Sequence, residues 1–174
     1  MPTATFNTNA GETIAREKLI CYLNTGTSST PVWSAIGTRV EDSSMEYDWQ
    51  EDTTQDILGV THSSMKKPTV TQSFDGVKLS AGDAAYEKIW TEGIQNQNPQ
   101  ALCNLDLLVV HFYAGTASTP FAERYPQSMI RPTELGGEGG GDIEMPFEAT
   151  YGGERTTGTA SKGTGGVITY TEAA

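Results

Sequence analysis

Few residues in this sequence are equipped for covalent or metal chemistry. Two histidines, His62 and His111, and two cysteines, Cys21 and Cys103, are spread through 174 residues, and none is spaced with another as a tetrahedral metal site requires. Cys103 and His111 are the one nucleophile and base pair to weigh. Eight positions apart on or near one extended segment, they are separated by more than about 20 Å, beyond the hydrogen-bond reach that activates a thiol. The glycine-rich stretch 158–164 (GTASKGT) falls short of a phosphate loop, because Lys162 precedes the second glycine and no strand-to-helix step surrounds it. Carboxylates abound, yet no pair stands in the opposed environments that glycosidase chemistry demands. Lys66-Lys67 is the only basic doublet, which argues against a groove for single-stranded nucleic acid. The sequence predicts no catalytic residue, no metal and no cofactor, and a protein that is not an enzyme.

Negative charge does carry a pattern. Asp and Glu number 22 against 11 Lys and Arg, a formal charge of −11, which excludes an electrostatic binder of DNA or of an anionic membrane. Seven acids, Glu41, Asp42, Glu46, Asp48, Glu51, Asp52 and Asp56, follow one another with no intervening Lys or Arg. Glu134, Glu138, Asp142, Glu144, Glu148 and Glu154 form a second such run. In a monomer these are solvated, solubilising faces. If identical copies turned them toward a common axis, a polyanion inside would meet like charge and find no cation to bind. Glu46, Asp48, Glu51 and Asp52 are the candidates for such lumen or rim charge.

The elements that must position these groups read mainly as strands. Hydrophobic residues are only 36% of the chain, and 19 glycines with abundant Thr and Ser suit strands and turns. No run reaches the roughly eighteen apolar residues of a membrane span, and no basic-plus-apolar leader pattern opens the sequence. We read the chain as cytoplasmic when made and as a single domain over 1–174, with a polar arm at 1–15 that is ordered only when held. Strands are expected at 17–23 and 32–40. Residues 44–50 alternate cleanly, placing Met45, Tyr47 and Trp49 opposite Ser44, Glu46, Asp48 and Gln50. A turn at Glu51-Asp52 and a returning strand at 53–58 complete a long β-hairpin over about 41–60. Another strand is expected at 69–74. Ser80, with Asp83 three residues on, reads as the cap of one helix over about 82–97, with Tyr86, Ile89, Trp90 and Ile94 on its packing face. Residues 105–113, with Leu107 and Val109, are apolar on both alternations, as befits a central strand. Residues 142–151 alternate again, with Phe147 inward, and a last strand falls at 167–171. The expected core is Tyr47, Trp49, Tyr86, Ile89, Trp90, Leu107, Val109 and Phe147, with both cysteines packed as small hydrophobes.

Three stretches carry a family resemblance: 40–59 (VEDSSMEYDWQEDTTQDILG), 67–90 (KPTVTQSFDGVKLSAGDAAYEKIW) and 136–158 (GGEGGGDIEMPFEATYGGERTTG). In order and spacing they are similar to the acidic aromatic hairpin, the Lys-Pro strand with its Gly-Asp turn and helix, and the glycine-acid loop of the major tail tube proteins of long-tailed bacteriophages, the siphovirus type infecting Gram-positive hosts. The run Gly139-Gly140-Gly141 and Ala84, where a proline is common, depart from that pattern. The resemblance implies a β-sandwich or barrel of antiparallel strands with one flanking helix. It also implies hexameric rings stacked into a hollow virion tube, assembled in the bacterial cytoplasm. The implied partners are further copies of the chain, a tape-measure protein, tail terminator and baseplate or tail-tip proteins, and double-stranded DNA passing without specific binding, with no membrane. Two alternatives stay open: the inner tube of a contractile tail or injection system, and a carbohydrate-binding β-sandwich using Trp33 or Trp49 as a sugar platform.

Overall fold

The computed structural model describes residues 5–173; the first four positions of the expected arm lie outside them. The elements in chain order are β1 (Leu19–Asn24), β2 (Trp33–Ile36), β3 (Met45–Asp48), β4 (Glu51–Gln55), β5 (Thr61–Met65), β6 (Thr69–Phe74), α1 (Ala84–Trp90), α2 (Pro99–Leu102), β7 (Leu105–Gly115), β8 (Pro120–Pro132), β9 (Phe147–Tyr151), β10 (Thr156–Lys162) and β11 (Ile168–Glu172). Nine of the strands form one antiparallel sheet. Its main path runs β2-β1-β7-β8-β9-β6-β3, and β10 with β11 branches from β8.

The branch point is β8. Its first half pairs with β10, from Phe121↔Thr159 to Arg124↔Thr156, and its second half pairs with β9, from Met129↔Thr150 to Pro132↔Phe147. Along the other edge it pairs with β7, and the register shifts between Leu105↔Ser128 and Leu107↔Tyr125. Pro126 lies in that irregularity, where a residue without an N–H costs no ladder bond. β8, which contains three prolines, is not among the strands expected from the sequence, nor are β5 and β10. Gly158 shows why β10 is glycine-bearing: a Cβ there would lie 2.1 Å from the Thr171 carbonyl oxygen of β11.

At the branch the sheet folds over, and β1 and β7 face β6 and β9 across a common core. Leu107, Val109, Phe74, Phe147, Ile130 and Met145 fill it, with Phe74 and Phe147 stacked at 4.7 Å. The even positions Leu108 and Val110 are equally buried on the other face of β7, where Trp33, Ala122 and Ile168 cover them. The fold is therefore mainly β with a small helical flank, as the sequence implied. Among the described residues it does not close into a barrel.

α1 lays Ala85, Tyr86 and Ile89 on the core. Its cap is Asp83, whose carboxylate accepts from the Ala85 and Tyr86 amides, while Ser80 Oγ is buried without a partner. The α-helix ends at Trp90 and passes into a π-helical turn at Thr91–Gln95, so the expected sixteen-residue helix is two kinds of turn in succession. Trp90, expected in the core, stands 37% exposed at the end of the packed face. Cys21 is buried, but Cys103, also expected inside, is exposed because it follows α2 instead of entering β7.

Truncation of Phe147 to Ala is expected to cost about 3–5 kcal/mol, measured by urea unfolding; a loss below about 1 kcal/mol counts against this core.

Candidate assembly surfaces

The long hairpin is present, but it reaches further than its alternation indicated. The chain continues through Glu51-Asp52, with Gln50 at φ 46 and its amide donating to Asp48 Oδ1, and turns only at 56–60. Its outgoing arm is β3 then β4, and its returning arm is β5 then β6. β3 pairs with β6, from Met45↔Gln72 to Asp48↔Thr69, inside the main sheet. β4 pairs with β5 alone, from Glu51↔Met65 to Gln55↔Thr61, and every residue of both strands is exposed. Asp56 holds the tip together. Its Oδ1 accepts from the Leu58 and Val60 amides at 2.9 and 3.0 Å, and its Oδ2 lies 3.0 Å from His62 Nε2. The bond from His62, then those from the backbone, lower the Asp56 carboxyl below its usual range. At the tip Ile57 is 101% and Leu58 82% exposed.

The four candidate acids do not share one surface. Glu46 and Asp48 lie opposite Thr71 and Thr69, on the face of the sheet turned away from buried Val70 and Gln72. Thr150 and Glu148 continue this polar face through their register with Thr71 and Ser73, and Arg131 on β8 pairs with Glu148. Glu51 and Asp52, successive on β4, project from opposite faces of the ribbon. Met45 and Tyr47 lie on the other face of β3, toward the core, as the alternation requires. Yet Tyr47 and Trp49 are 45% and 46% exposed: β3 is an end strand of the main sheet, and Trp49 lies just past its last residue. Of the remaining core candidates, Tyr86, Ile89, Leu107, Val109 and Phe147 are buried. Trp33 is also buried, with the Arg124 guanidinium 5.8 Å above its ring, so it presents no sugar platform.

A buried charge cluster went unread in the sequence. Glu123 on β8 points inward beside Tyr125. One carboxylate oxygen accepts from Arg155 Nε at 3.2 Å and from a second guanidinium nitrogen, and the other accepts from the Tyr125 hydroxyl at 3.1 Å and lies 3.5 Å from His111 Nε2. His111 Nδ1 in turn lies 2.8 Å from the Tyr113 hydroxyl. Burial alone raises the Glu123 carboxyl, but the facing His111 and Arg155 groups outweigh it and hold it at about 2. A second polar chain crosses the core where the Tyr151 hydroxyl meets Gln72 Oε1 and stands 3.2 Å from Cys21 Sγ. Gln72 then donates to Ser43 Oγ at 2.8 Å. Burial pushes the Cys21 thiol up to about 12, which makes it inert as a nucleophile. The alternation of Phe121, Glu123 and Tyr125 was the available signal, had β8 been recognised as a strand.

A cleft of about 560 Å³ opens between β1–β2 and the 37–43 segment, lined by Cys21, Ile36, Val40, Ser43, Gln72 and Phe74. Of its nucleophile types, Cys21 is the thiol that burial raises and Ser43 Oγ is engaged by the Ser73 carbonyl and Gln72, and the described residues contain no group of three metal-ligating side chains. No helix among them is long and apolar enough to cross a membrane.

Neither a family model nor a curated protein matches the sequence. Among solved structures, the tube-terminating cap of the anti-feeding prophage is similar at 15% identity and TM-score 0.49, over 88% of this chain and 96% of that one. A chain of the PVC sheath-tube complex, from an extracellular contractile injection system in the extended state, matches at 9% identity and TM-score 0.49, over 86% and 94%. A type six secretion system protein matches at 14% identity and TM-score 0.38, over 90% and 92%. At these values no function is transferred.

The Glu123 cluster generates a pH dependence. A carboxyl held at about 2 when folded, against an ordinary 4.5, contributes stability that is fully present above pH 4.5 and lost as pH falls toward 2. Glu123→Gln is expected to lower stability at pH 7 by about 1–3 kcal/mol, the worth of hydrogen bonds to a charged group, because the half-exposed Arg155 side chain is resolvated when its partner goes, and to flatten the acid limb of the stability profile. An unchanged limb in chemical denaturation at pH 2–5 counts against the assignment.

Proposed function

We propose that the chain is a structural, non-catalytic subunit acting as a single tail-tube unit: copies assemble into hexameric rings, and the rings stack into the tube of a phage-type tail. The observation that carries this reading is the β4–β5 ribbon. A two-stranded hairpin is at best marginally stable alone in water, and this one presents Ile57 and Leu58 to solvent with no layer behind it among the described residues. Such a ribbon is completed by another subunit. Among the described residues three strands of the main sheet, β2, β3 and β11, also end its ladder with one free edge each, and repeated copies can cover such edges around a ring.

The polar face carrying Glu46, Asp48, Thr69, Thr71, Glu148 and Thr150 suits the bore. Six copies of a chain with charge −11 line a conduit along which double-stranded DNA moves without releasing counterions to the wall. The tape-measure protein, a terminator and baseplate or tail-tip proteins are the partners this role requires, and the virion tail is its location. The inner tube of a contractile device is the same architecture inside a sheath. The two forms are separated by whether assembled tubes recruit sheath protein.

Electron microscopy of concentrated protein is expected to show uniform hollow rings or tubes. Ile57→Asp with Leu58→Asp should abolish them while shifting subunit stability by less than about 0.5 kcal/mol. Particles formed normally by this variant would remove the ribbon from the interface. Glu46→Lys with Asp48→Lys is expected to leave tubes intact but to slow DNA passage, most strongly at low salt. Ejection at the normal rate and salt dependence sinks the bore assignment.

A further inference from the structure

Residues 5–7 and β1 occupy the same edge of β7. Phe6 bridges antiparallel to Ala114. The Asn7 amide donates to the Tyr113 carbonyl at 2.9 Å, the Gly115 amide donates to the Thr5 carbonyl at 2.8 Å, and the Asn7 side-chain amide donates to the Phe112 carbonyl at 2.9 Å. β1 takes up the same edge at Leu19↔His111, also antiparallel. The chain therefore travels along β7, leaves it after Asn7, and rejoins it a short step further along. The excursion is a turn at Asn9 to Glu12 with Gly11 at φ 90, followed by the 3₁₀ turn Arg16–Lys18. No residue from 8 to 18 is buried. Only at Arg16, whose guanidinium donates to the Ser43 and Leu19 carbonyls, is the excursion tied firmly down.

The grip on residues 5–7 is almost wholly main-chain. Phe6 touches Tyr113 edge-on at 5.6 Å but remains 68% exposed, so no side-chain pocket ties the segment to its own subunit. Backbone ladder bonds of this kind are offered equally by the β7 edge of any other copy. Residues 8–15 extend to about 26–29 Å, and opening them uncovers no buried residue, Thr8 being half-buried with its Oγ1 unpartnered.

We propose that residues 5–7 form an exchangeable strand, paired with the chain's own β7 in the free subunit and with residues 113–115 of a second copy in the assembly, the 8–15 segment opening as the hinge. The bonds made between copies are those already made within one, so exchange carries little enthalpic cost. Donation from each copy to the next is head-to-tail and closes in a ring. The partner is thus a second copy of this chain. The proposal rests on the self-assembly reading above.

Paired Cα atoms of an antiparallel bridge lie about 4.5–5.5 Å apart, within disulfide range, and this supplies the test. In a Cys103→Ser background that removes the exposed thiol, subunits carrying Phe6→Cys alone are mixed with subunits carrying Ala114→Cys alone, assembled and oxidised. A covalent dimer of the two chains is expected in assembled particles and not in the unassembled mixture. The double variant, oxidised as a free subunit, is expected to close within one chain and to lose assembly until reductant is added. Particles that yield no mixed dimer, or a double variant that assembles while oxidised, overturn the exchange and leave the assembly reading standing. Unmodified protein that never associates, at any concentration, overturns both.

Discussion

One stretch of backbone, residues 120–132, has to satisfy hydrogen-bonding partners that diverge. Along one edge β8 is matched to β7; along the other, its first four paired residues serve β10 and its last four serve β9. A flat sheet cannot accommodate two strands on one edge of a third unless the third changes direction between them. The register shift beside Pro126 is where that happens. From it follow the folding of the sheet over a shared core, the inward aim of Glu123 and Tyr125, and the placing of β3 far from β2 in the ladder.

The interior and its margin hold charged groups, and their charge is compensated locally. Glu123 has Arg155, and Asp106 has Arg124 through two bonds of 2.7 and 3.0 Å. Outside, Glu148 has Arg131 and Glu41 has Lys78. Four of the eleven basic residues are thereby engaged with carboxylates, and most acids of the 41–56 run keep their charge uncompensated at the surface. Buried ions need partners because desolvation is expensive, whereas surface acids in water do not. The excess of negative charge is thus delivered almost entirely to the outer faces and the ribbon, where it acts on whatever approaches.

The subunit also leaves several surfaces unfinished. Its free sheet edges, its solitary two-stranded ribbon and its loosely held segment 5–7 are all features that water tolerates poorly or that the chain grips weakly. In the proposed assembly, another copy supplies the missing strand or layer to each.

Local patterning by itself determined a good deal. The double-sided apolar run of β7, the alternation of β3 and β9, the α1 face with Tyr86 and Ile89, the acidic bias and the poverty of reactive groups depend only on neighbours along the chain. Tertiary structure alone decided the rest. Alternation in 44–50 says that Tyr47 and Trp49 share a face, but their burial depends on the place of their strand in the sheet, and β3 is an end strand. The hairpin turn fell at 56–60 and not at Glu51-Asp52 because β6 was available to pair with β3, a partner more than twenty residues away. β8 was illegible because prolines break a helix or a central ladder in isolation, and they are acceptable here only because Pro120 and Pro132 end the strand and Pro126 sits in the irregularity between its β10-paired and β9-paired halves. Whether a carboxylate is buried, as Glu123 is, is set by which strands close around it, and no window of sequence contains that information.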